Sequence, residues 1–473
     1  MKKYILIILC CLTSFPLWSY NVNMIVEHYS VDQGLPNNTV NCTLKDRDGF
    51  IWFGTWYGLC CFDGVKFKTF NKQEHDSDVP PRKIQRIVED KNGYIWVKTI
   101  DRKLYVFNKV TECFHAVYDD MKNYSENIQV IKLQNTAEGD VLLLTKDKNL
   151  LLAGVDEKGQ VTIKILFDSR DEINKHDYTL KHHVLCETEE YISWIGTDYK
   201  VSAVHKGAEL ASRPADFITS KINSGDKDSF TSFFEDGRKV WVGDRAGIFY
   251  SIDVRTGLVN RYVLSEIKGA ISNLLVTPAG YVYLSVAGQG TYEYDLAERR
   301  LQKINTEMND AMVTHAFIDQ YDKIWFHENE KALIYYDPLN HTAKRFPFTM
   351  FGKITTLYSE DAGERGLFFL SPAGEAWLFD REHVEMVYIN KLKQLSNDRA
   401  NQQFYHLMLD NDGVLWLSSA DEGVYCMNFP KKQFNLLSLS PQSAGQENYT
   451  IGVRALFQSK SGDIWVGTRW QSV

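Results

Sequence analysis

Carboxylates beside a turn glycine are the groups of this sequence best placed for metal chemistry. Asp46-Arg47-Asp48-Gly49 and Asp410-Asn411-Asp412-Gly413 resemble the start of a calcium loop. Neither continues to the Glu at the twelfth position that such a loop needs, so both read as hairpin turns and no metal is expected. Gly288-Gln289-Gly290 precedes no helix, so it lacks the setting of a phosphate cradle, and no cofactor is expected. Paired carboxylates converging in space would support glycosidic cleavage, and such convergence is not readable from the sequence. The more informative residues are binding groups. Aromatic rings beside amides and charges suit sugars, which have apolar faces and hydroxyl rims. Asn37, Asn38, Trp56, Tyr57, Arg102, Tyr199, Arg245, Gln289 and Asn329 are the candidates. Asp101, Asp198, Glu328, Asp421 and Glu422 are their neighbours in the chain. Two adjacent aromatics in a tight turn have no turn-forming reason, which puts Trp56 and Tyr57 first.

The elements that must position these residues recur. Asp46-Arg47-Asp48-Gly49-Phe50-Ile51-Trp52-Phe53-Gly54-Thr55 is a polar turn followed by an apolar–Trp–apolar run. Asp90-Lys91-Asn92-Gly93-Tyr94-Ile95-Trp96-Val97 repeats it. Further copies place tryptophan at 194, 241, 325, 416 and 465, and copies without Trp sit at Gly139, Gly280 and Gly366. The separations between the tryptophans are 44, 98, 47, 84, 91 and 49 residues, so the period is 42–50 once the three double gaps are halved. That is the length of a propeller blade.

Each repeat reads as a four-stranded meander. In the first, strand A covers 39–44, a turn closes at Gly49, and strands B, C and D cover 50–55, 59–62 and 66–70. Strand B is apolar on both faces, as a sheet packed between two neighbours requires. Gly54 leaves room for the close approach of the next sheet. No segment carries a long helical apolar period. The lead-ins to strand A and the B–C turns emerge at one end of each sheet, and the candidate binding residues lie in them.

Ten copies begin near residues 35, 82, 128, 181, 229, 270, 312, 353, 403 and 452. Ten blades exceed the usual ring of about four to eight. The expected fold is therefore all-β: a seven-bladed propeller over 21–348, then the first blades of a second, incomplete propeller over 349–473. The strand Met24–Ser30 resembles a D strand without a blade and is expected to close the seventh. The tenth copy stops before its third strand, so the chain reads as a fragment.

The chain has 473 residues, with 53 Lys and Arg against 61 Asp and Glu and a formal net charge of -8. Such a balance, with no basic block, argues against binding nucleic acid. Lys2 and Lys3 followed by the apolar run 4–12 read as a signal peptide over 1–20, and nothing later reaches the ~18 apolar residues of a membrane helix. Leu9 stands before Cys10 where a lipidated cysteine would need a small residue. Cys42, Cys60, Cys61, Cys113, Cys186 and Cys426 show neither metal spacing nor a regular disulfide framework, and read as buried small hydrophobes.

Gly34-Leu35-Pro36-Asn37-Asn38-Thr39-Val40, followed by Asp46-x-x-Gly49-x-Ile51-Trp52-x-Gly54-Thr55-x-x-Gly58-Leu59 and Phe62-Asp63-Gly64, resembles the two-component-regulator propeller repeat. It is similar to the periplasmic sensor region of bacterial hybrid two-component systems that control polysaccharide utilisation. The first repeat is a close match, the second and tenth good ones, the middle ones skeletal. In that family two seven-bladed propellers precede a β-sandwich, a membrane helix, a histidine kinase, a receiver and a DNA-binding domain. The resemblance implies an oligosaccharide ligand, a periplasmic location and a membrane-anchored, dimeric parent. None of the later parts is expected within these residues: His182-His183 lies before a strand, not on a phospho-accepting helix, and no ATP lid follows. The chain is therefore expected to bind without catalysing. A secreted propeller glycoside hydrolase or polysaccharide lyase is the alternative, and a purely structural interaction module a third. Sialidase-type blades carry Asp two residues before the turn Gly, where this sequence has Arg47, Lys91 and Lys460.

Overall fold

The structure, a computed structural model, describes residues 25–70, 80–122, 129–146, 149–167, 180–187, 190–196, 201–206, 218–220, 230–304, 313–328, 331–351, 358–361, 366–371, 375–391, 404–428, 453–459 and 464–468. The expected signal segment 1–20 lies outside them. The fold is all-β, and the helical pieces among the described residues are single turns. No helix among them is long and apolar enough to cross a membrane.

Nine four-stranded antiparallel sheets are present among the described residues of the unit Met1–Phe429. In the first sheet strands A to D are Val40–Lys45, Ile51–Thr55, Gly58–Phe62 and Phe67–Phe70. In the second they are Ile84–Glu89, Ile95–Thr99, Leu104–Asn108 and Cys113–Ala116. Six more meanders follow, over 130–167, 180–220, 230–263, 271–303, 313–347 and 358–391. The ninth joins Phe404–Leu409, Leu415–Ser419 and Val424–Asn428 to the N-terminal strand Ile25–Tyr29.

Both faces of strand B are buried, as its composition requires. In the first sheet Ile51, Trp52, Phe53, Gly54 and Thr55 are all buried. Trp52 packs with Phe107 and Ile95 of the second sheet, while Phe53 packs with Trp416 of the ninth. Cys60 and Cys61 divide the same way, one to each cluster. The Cys42, Cys60, Cys61, Cys113 and Cys426 thiols are free. Every neighbouring pair of sheets shares a cluster of this kind, the ninth with the first included, so the nine follow one another in a closed cycle. Gly54 is where the approach is tightest: a Cβ there would stand 2.5 Å from both Cys42 Sγ and Ile84 Cγ2 of the next sheet.

Two expectations are corrected. The N-terminal strand does not close a seventh blade: Ile25–Tyr29 pairs antiparallel with Val424–Asn428 in the ninth sheet. The chain divides at 429/430, not near 348. The reason is edge availability. In the 313–347 sheet, Thr342–Pro347 already occupies the outer edge of strand C as its own D strand. Strand C of the ninth sheet has only Ile25–Tyr29 on that edge, and an unpaired edge is the stronger claim on a spare strand. In the unit Pro430–Val473 the described residues form the hairpin Val453–Gln458 and Ile464–Thr468, where Leu456, Phe457 and Trp465 are exposed.

Candidate functional site

The A–B turns show what the repeated aspartate does. Asp46 Oδ1 accepts from the Asp48 and Phe50 amides, while its Oδ2 accepts from Trp52 Nε1 at 2.7 Å. Asp90 does the same for its turn and for Trp96 Nε1 at 2.9 Å, and the pairs Asp319–Trp325 and Asp410–Trp416 repeat it. Asp236 serves Trp241 across a turn one residue shorter. A buried indole N–H needs an acceptor, and this carboxylate also satisfies the amides of its own turn. The spacing Asp–x5–Trp was visible in the sequence; its role was not.

Cations at this end are neutralised. Lys109 reaches Asp46, Asp48 and Glu89 at 3.1, 2.8 and 2.8 Å. Burial opposes its charge, but the bonds to Asp48, Glu89 and Asp46 outweigh burial and raise its pKa. The Lys109 bond in turn lowers that of Asp48. Asp46, Asp48 and Glu89 are spaced as metal ligands would be, but the Lys109 ammonium already sits among them. Lys45 with Asp410 and Asp412, Arg381 with Asp319 and Asp361, and Lys206 with Glu138 and Glu187 lace other turns likewise.

The opposite end is tied by backbone. Gly423 N donates to Asn38 O, Trp56 N to Thr39 O, Lys83 N to Trp56 O, Ile100 N to Lys83 O, Val130 N to Arg102 O and Lys146 N to Gln129 O. These bonds alternate between the B–C turn of one sheet and the strand A lead-in of the same or next sheet. They run from the ninth sheet through the first and second to the third. These turns are thus linked from sheet to sheet by main-chain bonds.

The candidates fare differently. Trp56 and Tyr57 are 40% and 65% exposed, with Lys83 Nζ 5.2 Å from the Trp56 ring centroid. Arg102 is exposed on a left-handed backbone, φ 69°, and Arg245 is exposed in its turn. Asn37 and Asn38 are spent on structure: their Oδ1 atoms accept from the Thr39 and Val31 amides. Gln289 is likewise engaged, accepting from Lys268 N and donating to Glu266 O. Glu422 accepts from the Tyr425 hydroxyl, and Glu328 from Arg345. Tyr199 and Asn329 lie outside the described residues. The structure therefore brings Trp56 together with Lys83, leaves Tyr57 exposed beside it in the chain, and puts Arg102 on the adjoining sheet.

Sequence reasoning missed Arg86 and Lys98. Strand A packs against strand A of the next sheet between the first and second, second and third, fifth and sixth, sixth and seventh, eighth and ninth, and ninth and first sheets. A bulge at the second strand A residue recurs, and the residue after it pairs with the strand B position occupied by Gly54. In the second sheet that pair is Arg86 and Lys98. Lys98 is only 6% exposed; Nζ donates to Gln85 Oε1 at 2.9 Å and Ile131 O at 2.5 Å. Burial, then Arg102 and Arg86, lower its pKa to about 8. Burial and Arg86 lower that of His406, on strand A of the ninth sheet, to about 4. The available signal was Trp96-Val97-Lys98-Thr99, where the first repeat has Trp52-Phe53-Gly54-Thr55.

Comparison with known proteins places a name on the repeat. Residues 34–57 match the family model described as two component regulator propeller. No curated protein matches the chain. Among solved structures, the extracellular domain assigned to a one component system of B. thetaiotaomicron is 14% identical with TM-score 0.37, over 92% of this chain and 68% of that one. The extracellular domain assigned to a hybrid two component system of the same organism is 18% identical with TM-score 0.33, over 94% of this chain and 58% of that one. A streptogramin B lyase is 11% identical with TM-score 0.34, over 86% of this chain and 98% of that one.

Proposed function

We propose that this chain, which carries a two component regulator propeller repeat at residues 34–57, is a ligand-sensing region of a hybrid two-component system. Its ligand is an oligosaccharide released in polysaccharide breakdown, received at the B–C turn end of the sheets. The exported chain works in the periplasm as part of a membrane-anchored, dimeric parent, and acts by binding and not by turnover. One observation supports the ligand class above the others: the matched repeat ends in Trp56 and Tyr57, two exposed rings on a turn held by backbone bonds. Rings fixed in this way lose little entropy on stacking against a sugar. Lys83 adds a donor beside the Trp56 platform.

Calorimetry against a panel of neutral and acidic oligosaccharides tests the reading. Binding of at least one, weakened about tenfold or more by Trp56→Ala, is the expected result. Release of shortened products from a polysaccharide would instead assign a hydrolase or lyase. Silence across the panel would remove the sugar ligand.

A further inference from the structure

Arg86 and Lys98 stand directly opposite one another on adjacent antiparallel strands. Like charges in that position destabilise a sheet. The corresponding pairs elsewhere avoid the conflict: Cys42 with Gly54, Asn273 with Ser285, His406 with Ser418. Lys98 also fills the position at which the first sheet needs glycine for close approach. Its ammonium has three donors and its two acceptors, Gln85 Oε1 and Ile131 O, are both neutral. The Arg86 and Arg102 side chains make no hydrogen bond or ion pair among the described residues. Asp101, the adjoining acid, is occupied by Thr99 and Lys103. In a chain of net charge -8, with 61 carboxylates available, this group of cations has been left without one.

We infer that Arg86, Lys98 and Arg102 form a site for an anionic group, so that the saccharide received at this end is an acidic one carrying carboxylate or sulfate. The inference rests on the sensor reading for the word saccharide, and on the charges alone for the word anionic. An anion placed between Arg86 and Lys98 removes their repulsion and accepts from donors that are otherwise unused. Trp56, Tyr57 and Lys83 lie one sheet away along the same backbone-linked run of turns, where the uncharged part of a ligand is stacked.

Calorimetry on the whole 473-residue protein separates the parts of this statement. The probes are an oligogalacturonate and its methyl ester, a sulfated chondroitin disaccharide and its unsulfated form, and inorganic sulfate alone. The expected result is binding of one charged sugar about tenfold or more tighter than its neutral partner, weakening as salt rises. That preference disappears in Arg86→Gln and in Lys98→Met and survives in the control Arg255→Gln. Thermal melts establish that each variant is folded, and Arg102→Gln, like Arg86→Gln at an exposed position, serves if another variant is not. The carboxylate and sulfate pairs tell which anion is meant. Equal binding of charged and neutral sugars, or a preference untouched by all three variants, overturns the inference and leaves the sensor reading standing. Sulfate bound through Arg86 with every sugar silent keeps the anion site and removes the saccharide. Silence from all the probes overturns both.

Discussion

The A–B turn end of the sheets and the Arg86–Lys98 corner of the second sheet treat charge in opposite ways. At the A–B turn end, cations and carboxylates meet in threes and fours: Lys109 with Asp46, Asp48 and Glu89, or Arg381 with Asp319 and Asp361. Asp46 and Asp319 also hold a buried indole each, so charge, turn and core form one unit. At the B–C turn end of the second sheet, Arg86, Lys98 and Arg102 have no carboxylate partner, and the turns are held by main-chain bonds. One end is built to be finished by itself. The other is built to be finished by something else.

Substitutions break or sharpen that contrast, beginning with the most damaging. Asp46→Ala removes the acceptor of Trp52 Nε1, the cap of two amides and one partner of half-buried Lys109. A loss of about 3–5 kcal/mol is expected in urea unfolding, because the groups left behind stay buried. A loss below about 1 kcal/mol would deny that the A–B end is a single unit. Gly54→Val comes next, at roughly 2–3 kcal/mol, since its Cβ meets Cys42 and Ile84 at 2.5 Å. Lys98→Met at the corresponding position should not destabilise, because the chain there already accommodates a long side chain.

Acid comes third. His406 is neutral down to about pH 4 in the folded state, against an ordinary value of 6.5. The unfolded chain takes up the proton first, so stability falls as pH drops from about 6.5 to 4 and then levels. The difference amounts to about 3 kcal/mol. His406→Gln should flatten that part of the pH profile. Arg86→Gln is smaller and of opposite sign: without ligand it should leave stability unchanged or raise it by up to about 1 kcal/mol, whereas Lys109→Met should lower it. A clear loss in Arg86→Gln would erase the distinction between the ends. Trp56→Ala should be the mildest, within about 0.5 kcal/mol in melting, while weakening sugar binding about tenfold or more.

Much of the architecture was legible in the chain. The Trp period, the turn glycines and the doubly apolar strand B led directly to four-stranded meanders packed on both faces, because these features depend on residues within one repeat. Ring closure was not legible in the same way. Ile25–Tyr29 carries a D-strand pattern that fits any vacant edge, so its partner depends on which sheet lacks a fourth strand. Trp56 and Tyr57 were found because exposed aromatics in a turn have no local purpose. Asn37, Asn38 and Gln289 looked equivalent to them, and only the fold shows their amides committed to neighbouring backbone. Arg86 and Lys98 escaped notice because each is unremarkable alone; they become a conflict only when register sets one against the other.

The amino-acid order by itself determined the repeating unit, its turns and the aromatic core between sheets, since each follows from alternation and spacing over a few tens of residues. Tertiary structure decided which strand closes the cycle, which polar side chains are consumed by neighbouring main chain, and which cations are left without acid. Those are outcomes of long-range pairing, where residues dozens or hundreds of positions apart compete for the same edge, donor or charge.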